Sequence, residues 1–426
     1  MASGPLAGVK VLEFSQIIAG PFAGMMLSDM GAEVTKFEPL EGEPWRIFVE
    51  LVPKESRTYA SLNRGKRGVA IDLAHPSARE VVGRLAREAD VVIINYRPGV
   101  AEKLGIDYQT LRAINPRLIY CENTAFGKKG PLAARGGYDL IVQALSGLMA
   151  GEAKMSGDVP TYVYPAVADY ATGILISGAI SAALYAREKT GEGQRIDCTL
   201  LGTAIAMQTS QFTWIDAFDD ANFPPMIDAI QQARLDLKSF EEQVEIHNAF
   251  RPVGGGNVYY RVYQTSDGFL AVGALSRQLW AKVRAATGLV DPRAKPDGSF
   301  DTAPADWDVE GPRLVATAEA LFRTKSTAEW GSLLEQHGVP SGPVHFIEEL
   351  FEHPQATENG LVTEMDHPLL GHMKMVGPAF QMSRTPLAAQ GPSPVLGGDT
   401  ARVLQEAGYT PDEIEAMRAA GVIGVA

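Results

Sequence analysis

Residues 8–38, GVKVLEFSQIIAGPFAGMMLSDMGAEVTKFE, decide the fold class. The run KVLEF (10–14) is short and apolar, which predicts a strand, and a Gly-Pro pair then opens a helical pattern over 20–30. The run EVTKFE (33–38) predicts a second strand. A strand, a helix and a second strand in this order predict two parallel neighbours joined by a crossover helix.

The same alternation continues downstream and extends the sheet. Three further runs are short and rich in valine and isoleucine, and an amphipathic run that begins with proline predicts another crossover helix. These predicted strands are GVAIDL (68–73), DVVIINY (90–96) and RLIYCE (117–122), and the helix is PSAREVVGRLARE (76–88). We therefore predict an α/β fold with a doubly wound, mostly parallel, Rossmann-like sheet that binds ligands at the carboxyl ends of its strands.

The chain has 426 residues, which is too long for one ordinary core. We predict a large α/β domain over 1–220, a smaller α+β domain over 225–335, and a C-terminal segment, 340–426, that packs back on the large domain. In the small domain, RPVGGGNVYYRVYQTSDGFLAVG (251–273) predicts a glycine-rich loop followed by a hairpin. Further helical patterns cover 277–290, 311–337, 399–407 and 411–420.

The composition argues against several classes of protein. A hydrophobic fraction of 46% with 21% charged residues predicts a folded chain. A net charge of −13 argues against a nucleic-acid partner. Residues 1–140 nevertheless carry +2 and the remainder −15, so the first part could bind a small polyanion or simply carry scattered solvated charges. Two cysteines and the lack of a signal-like leader predict a cytoplasmic protein.

An apolar stretch at 171–186, ATGILISGAISAALYA, predicts a buried helix. Its 16 residues fall short of the roughly 20 that a bilayer requires, and its small side chains suit close packing. We therefore expect no membrane partner.

The motifs of several enzyme classes are absent. The turn after the first strand lacks GxGxxG, and no GxxxxGK[ST] or GxSxG occurs. The seven histidines form no HExxH, and the cysteines are not paired, so we expect no metal site.

Asp169 stands just before the apolar helix in YPAVADYATGILISG (164–178). One interpretation is an N-cap, a position that aspartate favours. A helix N-terminus also favours negative charge, so the carboxylate would stay ionised and could act as a nucleophile, with backbone N–H groups stabilising an oxyanion. The residues alone leave both interpretations open.

The order of segments along the chain resembles the class III coenzyme A transferases, the formyl-CoA and carnitine-CoA transferase-like family. The resemblance covers nearly the whole length. The matching segments are GVKVLEFSQIIAGPFAGMMLSDMGAEVTKFEPLEGEPWR (8–46), SLNRGKRGVAIDL (61–73), DVVIINYRPGVAEKLGIDYQTLRAINPRLIYC (90–121), GGYDLIVQALSGLM (136–149), ADYATGILISGAISAALYAREKTGEGQRIDCTLL (168–201), GVPSGPV (338–344) and LGGDTARVLQEAGY (396–409).

The resemblance implies an interlocked homodimer in which Asp169 is the nucleophile. The implied reaction moves coenzyme A from an acyl-CoA to a carboxylic acid through an aspartyl mixed anhydride and an aspartyl-CoA thioester. Acyl-CoA and a free acid are then substrates, and no permanently bound cofactor is expected. We expect a dicarboxylic or small organic acid as the acceptor, and Arg46 or Arg135 could hold the second carboxylate of a diacid.

The resemblance also implies binding residues. The coenzyme A contacts that it implies are Gln16, Ile18, Ile71, Leu73, Asn95, Tyr96, Arg97, Lys103 and Leu104, with Lys66 and Arg67 as phosphate-binding candidates. The substrate pocket that it implies contains Trp45, Tyr59, Tyr138, Asp139 and the loop Gly254, Gly255 and Gly256, which is either a mobile lid or a plain turn.

Two alternatives remain open. The same architecture occurs in α-methylacyl-CoA racemases, which abstract a proton with a histidine-aspartate pair. This chain has Tyr138-Asp139 where the racemase histidine would fall, and a tyrosine is a poor base near neutral pH, so we favour the transferase. The other alternative is an inactive CoA-binding partner subunit, which the presence of Asp169 disfavours.

Overall fold

The computed structural model describes residues 4–250, 257–295, 299–301 and 306–425. The chain divides into two compact units, of which the larger comprises Met1–Ile215 and Pro354–Ala426 and the smaller comprises Asp216–His353. The C-terminal segment thus joins the large unit at 354 rather than 340. The reason is that Ser341–Pro343 pairs with Phe269–Gly273 in the sheet of the small unit.

The strands of the described residues are numbered in chain order. They are Lys10–Phe14 (β1), Glu33–Glu38 (β2), Glu50–Val52 (β3), Glu55–Ser56 (β4), Arg67–Ile71 (β5), Val91–Ile94 (β6), Ile119–Thr124 (β7), Met155–Ser156 (β8), Val159–Pro160 (β9), Arg195–Thr199 (β10), Tyr260–Gln264 (β11), Phe269–Gly273 (β12), Ser341–Pro343 (β13), Val362–His367 (β14), Gly371–Val376 (β15) and Ile423–Gly424 (β16).

The α-helices are numbered in the same way. They are Ala19–Asp29 (α1), Pro44–Ile47 (α2), Arg57–Asn63 (α3), Ala78–Glu88 (α4), Val100–Leu104 (α5), Tyr108–Ile114 (α6), Asp139–Ser146 (α7), Leu148–Glu152 (α8), Val167–Thr190 (α9), Leu200–Ala206 (α10), Asp216–Asp219 (α11), Phe223–Leu235 (α12), Phe240–Phe250 (α13), Arg277–Thr287 (α14), Trp307–Phe322 (α15), Thr327–Gln336 (α16), Pro354–Glu358 (α17), Thr400–Glu406 (α18) and Pro411–Ala419 (α19).

The large unit is built on a seven-stranded sheet of order β10-β7-β6-β1-β2-β5-β16. Its neighbours are parallel except for β16, which pairs antiparallel with β5. The chain runs from β1 outward through β2 to β5 and then returns to the other side of β1 with β6. The predicted doubly wound, mostly parallel sheet is confirmed, and its direction switches between β1 and β6, where such sheets bind ligands.

Both faces of this sheet are covered, which explains why β6 is apolar throughout. In β6, Val92 and Ile94 belong to a core that includes residues of α4, α6, α18 and α19. Val91 and Ile93 belong to the opposite core, which includes residues of α1 and α9.

Helix α9 is longer than predicted, with 24 residues. It packs closely on α1, because a Cβ atom at Gly173 would lie only 2.8 Å from the Ala19 carbonyl oxygen. By length and hydropathy alone α9 could cross a bilayer, and half of its most apolar window is buried. A core helix passes the same test, so this is a weak indication of a membrane span.

The small unit contains an antiparallel sheet of order β11-β12-β13 and the helices α11–α16. The predicted hairpin is present as β11 and β12, with Asp267 and Gly268 in its turn. Its core includes Tyr263, Phe322 and Trp330. The rings of Tyr263 and Phe322 are stacked, and the Trp330 ring is tilted by 37° from that of Phe322.

Candidate active site

A cavity of about 320 Å³ opens at the carboxyl ends of β1, β6 and β7 in the large unit. This is the point at which the direction of the sheet switches. The residues that contribute polar side chains to its lining are Gln16, Asn95, Tyr96, Arg97, Asn123, Thr124, Arg135, Tyr138 and Asp169.

Two loops are joined at the base of this cavity. The Asn95 side chain accepts a hydrogen bond from the Gln16 backbone N–H at 2.9 Å and donates one to the Gln16 carbonyl at 2.7 Å. These bonds tie the loop after β1 to the loop after β6. The position of both loops at the cavity therefore depends on the side-chain amide of Asn95.

The next residue of the first loop, Ile17, has a φ of 74° and lines the cavity. A β-branched side chain rarely adopts this left-handed conformation, so the loop is strained. The buried Glu43 carboxylate holds it by accepting the Ile17 N–H at 3.0 Å. Burial raises the pKa of Glu43 to about 7, and the Lys36 ammonium nearby opposes that shift.

Asp169 is the third residue of α9, and the N-cap position belongs to Ala166. The N-cap interpretation of Asp169 is therefore wrong. Asp139 performs that role from the first turn of α7, because its Oδ1 accepts the N–H groups of Ala168 at 2.8 Å and Asp169 at 3.3 Å. The Asp169 side chain is left to face the cavity.

The Asp169 carboxyl is only 7% exposed. Burial and, after it, the charge of Asp139 raise its pKa from the ordinary 3.8 to about 7. The expectation that it stays fully ionised near neutrality is therefore wrong. Among the described residues, none donates a hydrogen bond to this carboxylate, so desolvation is left uncompensated.

Asn123 lies at the end of β7 and lines the same cavity, although the sequence did not single it out. It is 4% exposed, and its Oδ1 is fully buried without a hydrogen-bond partner. Its position could have been recognised, since it is a polar residue at the carboxyl end of an apolar parallel strand.

Two arginines supply the positive charge of the cavity. Arg97 follows β6 and lies across Gly136, where an added Cβ would be 3.0 Å from the Arg97 Nε. Arg135 lies on the opposite loop, next to Gly136. Within the described part of the chain, neither arginine forms an ion pair, so both can meet an anionic ligand.

Comparison with known proteins identifies the family. The model of CoA-transferase family III matches residues 6–400. The chain belongs to CoA-transferase family III.

The relatives of this family III CoA-transferase share its length and its fold. It is 34% identical to a succinyl-CoA:glutarate CoA-transferase from Mus musculus, over 98% of this chain and 90% of the relative. It is 30% identical to a succinyl-CoA:mesaconate CoA-transferase from Haloarcula hispanica, over 95% of this chain and 97% of the relative. A crystal structure of Rv3272 from Mycobacterium tuberculosis matches with a TM-score of 0.73 and 27% identity, over 94% and 99% of the two chains.

Several sequence predictions for this CoA-transferase are corrected by the geometry. Lys66 is buried, and its ammonium binds Glu13 Oε2, the Asn63 Oδ1 and the Pro21 carbonyl, each at 2.8 Å. It therefore does not face a phosphate. Arg67 begins β5, at the amino end of the sheet, and pairs there with Glu33 and Glu406.

Arg46 and Tyr59 are likewise structural. Arg46 is fully buried and binds Glu38 through two nitrogens, at 2.7 and 2.9 Å, and Glu55 at 2.8 Å. The Tyr59 ring lies 3.7 Å from its guanidinium carbon, and the Tyr59 hydroxyl donates to Glu38. Neither the predicted carboxylate-binding role of Arg46 nor the predicted pocket role of Tyr59 fits these contacts.

Other predicted positions lie outside the lining of the cavity. Asp139 was predicted as a pocket residue, but it is buried and caps α9. Ile17 lines the cavity in place of the predicted Ile18. The remaining predicted residues that do not line it are Trp45, Ile71, Leu73, Lys103 and Leu104. The loop Gly254–Gly256 lies outside the described residues. In the described ranges, no group of three or more His, Cys, Asp or Glu could hold a metal ion.

Replacing Asp169 with asparagine should remove a pH-dependent loss of stability. The folded-state pKa is about 7 and the ordinary value 3.8, so the wild-type protein loses stability as the pH rises from about 4 through 7. The free energy of unfolding of Asp169→Asn, relative to that of wild type, should increase by about 4 kcal/mol across this pH range and then stay constant. Urea unfolding followed by circular dichroism at a series of pH values measures this difference.

The control is Asp158→Asn, which changes an exposed aspartate of the same unit. Its stability relative to wild type should not vary over this range. Equal pH profiles for Asp169→Asn and wild type would contradict the pKa assigned to Asp169.

Proposed function

We propose that this enzyme transfers CoA between carboxylic acids through covalent intermediates on Asp169. The observation that supports this is the buried Asp169 carboxyl, which faces the cavity and receives no hydrogen bond from the described residues. An ionised carboxylate without hydrogen-bonding partners is a better nucleophile than a solvated one, so desolvation favours its attack.

The proposed reaction balances in four steps. A carboxylate oxygen of Asp169 forms a bond to the thioester carbon, and the carbon–sulfur bond breaks to release CoA thiolate. The thiolate attacks the aspartyl carbonyl of the mixed anhydride, and the donor acid leaves. The acceptor carboxylate then attacks the aspartyl carbonyl of the aspartyl-CoA thioester, and the carbon–sulfur bond breaks to release CoA thiolate and give a second mixed anhydride. The thiolate attacks the acceptor acyl carbonyl of this anhydride, which forms the new acyl-CoA and releases the Asp169 carboxylate.

The acyl-CoA enters at the carboxyl ends of the strands in this proposal. CoA-transferases use CoA thioesters as substrates, and the phosphates of the CoA moiety require cations. Arg97 supplies one beside the loops of Gln16 and Asn95. Lys103 and Leu104, which the sequence predicted as CoA contacts, belong to α5, the helix that follows β6.

The acceptor in this proposal is a dicarboxylic acid. Two relatives of this chain are named as succinyl-CoA:glutarate and succinyl-CoA:mesaconate CoA-transferases. Succinate, glutarate and mesaconate each carry two carboxylates. One carboxylate reacts at Asp169, and the other requires a cation in the same cavity. We assign that role to Arg135, because it lines the cavity and has no ion pair within the described ranges.

The racemase alternative fits the cavity less well. In the described part of the chain, no histidine lines the cavity, and Tyr138 stands at the position where the racemase histidine would fall. The inactive-subunit alternative fits less well because Asp169 is present and faces the cavity.

The proposal includes an interlocked homodimer. Apolar side chains on two helices of the large unit support it, because they are exposed in the single chain: Ile174 (54%) and Leu175 (52%) on α9, and Leu140 (47%) and Ile141 (45%) on α7. Burial of these side chains against a second copy would remove apolar area from water.

Replacing Asp169 with alanine should lower CoA transfer by about 1,000-fold or more, because the nucleophile is lost. The assay uses succinyl-CoA with glutarate and follows new acyl-CoA masses. For the wild type, kcat/KM should rise with pH through about 7, as the Asp169 carboxyl ionises. Borohydride treatment with acyl-CoA should modify Asp169 in the wild-type protein.

The control for this experiment is Asp158→Ala, which should retain wild-type transfer. Transfer by Asp169→Ala at a tenth of the wild-type rate would rule out the nucleophile. Exchange of the α-hydrogen of the acyl-CoA with deuterium, without CoA transfer, would instead favour the racemase.

Replacing Arg135 with glutamine should raise KM for glutarate by about 10- to 100-fold, since a charge-assisted hydrogen bond is lost. KM for a monocarboxylate such as butyrate should stay unchanged. Arg112→Gln, on the exposed side of α6, is the matched control. A rise in KM for the acyl-CoA alone would assign Arg135 to CoA and not to the acceptor.

The purified protein should have twice the chain mass of 45.8 kDa in light scattering after size-exclusion chromatography. Ile174→Glu should destabilise the dimer, since it buries a charge in the proposed contact. Ile114→Glu on α6 is the control. A wild-type mass equal to one chain would remove the homodimer from the proposal.

A further inference from the structure

The first step of the proposed reaction creates a negative oxygen that needs a donor. When a carboxylate oxygen of Asp169 bonds to the thioester carbon, the π electrons of the carbonyl move to its oxygen. Enzymes stabilise this oxyanion with preorganised N–H or O–H donors.

The N-terminus of α9 was the expected source of these donors, but three of its amides are engaged. Asp139 accepts the N–H groups of Ala168 and Asp169. The N–H of Tyr170 donates to the Ala166 carbonyl at 3.0 Å. These three amides are therefore unavailable, and a side chain that lines the cavity is the alternative donor.

Three side-chain amides line the cavity, and they differ in what they already bind. Both ends of the Asn95 amide are bonded to the Gln16 backbone. The Gln16 side chain is half-buried, so it is less constrained before substrate binds. Asn123 is 4% exposed, and its Oδ1 is fully buried without a hydrogen-bond partner among the described residues.

The strand directs Asn123 towards Asp169. Side chains two residues apart in a strand lie on the same face, so Asn123 shares its face with Ile119 and Cys121. Those two residues belong to the core that includes Ile176 and Ile180 of α9. Asn123 therefore lies on the α9 side of the sheet, at the strand end where the cavity and Asp169 lie.

We propose that Asn123 donates a hydrogen bond to the oxyanion that forms when Asp169 attacks the acyl thioester. The inference rests on the proposed function and adds a catalytic residue to it. The Nδ2 of the amide donates this bond, because Oδ1 can only accept, and the bond forms only when the negative oxygen is present. As the carbonyl re-forms and the carbon–sulfur bond breaks, CoA thiolate leaves and the hydrogen bond weakens.

The test compares Asn123→Leu with Asn115→Leu in the full-length protein, with succinyl-CoA and glutarate as substrates. Asn115 is a matched asparagine whose amide donates to the carbonyls of Ala86 and Ala89, at 3.0 and 2.8 Å. We expect Asn123→Leu to lower kcat by about 100- to 1,000-fold with a similar KM for the acyl-CoA. Its Tm should be equal to or above that of wild type, because no protein hydrogen bond is lost.

Asn115→Leu should do the opposite, with a lower Tm and a wild-type kcat for the folded enzyme. Asn123→Ala, which only removes atoms, gives a second measurement in case leucine prevents folding, and it should show the same loss of kcat.

Three outcomes would overturn the inference. A kcat of the Asn123 variants within about threefold of wild type would exclude a role in the transition state. A raised KM with an unchanged kcat would assign Asn123 to ground-state binding. Absence of CoA transfer by the wild-type protein itself would overturn the proposed function, and this inference with it.

Discussion

The carboxylate of Asp139 at the N-terminus of α9 is the contact on which the site depends. It satisfies the N–H groups of Ala168 and Asp169, which would otherwise lack partners inside the unit. It leaves the Asp169 side chain free to face the cavity, and its charge adds to burial in raising the pKa of that carboxyl. It also engages these two helix amides, so they are not available as oxyanion donors. One buried aspartate thus places the neighbouring aspartate and determines which other groups the chemistry must use.

The sheet supplies the rest of the site through its direction switch. Because β1, β6 and β7 are adjacent parallel strands, the residues that follow them meet at one edge, which brings Gln16, Asn95 and Asn123 together. The loop after β1 is strained at Ile17 and is held by Glu43, which lies in a buried group of charges with Lys36. Such buried ion pairs seldom add much net stability. Their value here is positional, since they hold the cavity wall in an unfavourable backbone conformation.

Sequence patterns predicted the strands and the principal crossover helices of the sheet closely. The strands predicted at 10–14 and 33–38 are reproduced at the same residues, and both are buried beyond their first residue. The same reasoning failed for charged residues. Lys66 and Arg46 were predicted to face ligands, yet both are buried in ion pairs with glutamates from other segments. From the sequence alone, a charged side chain is expected to face solvent. Only its contacts in the tertiary structure show that it is buried.

The sequence by itself determined the fold class and, through its resemblance to the family, pointed to Asp169 and the residues after β1 and β6. These depend on local periodicity and on the order of segments, both of which are properties of the chain alone. Only the tertiary structure decided that Asp139 caps α9, that Asp169 carries a raised pKa, and that Asn123 is buried without a partner beside it. Desolvation and hydrogen-bond satisfaction depend on groups that are distant in the chain, so they exist only once the sheet and α9 have packed together.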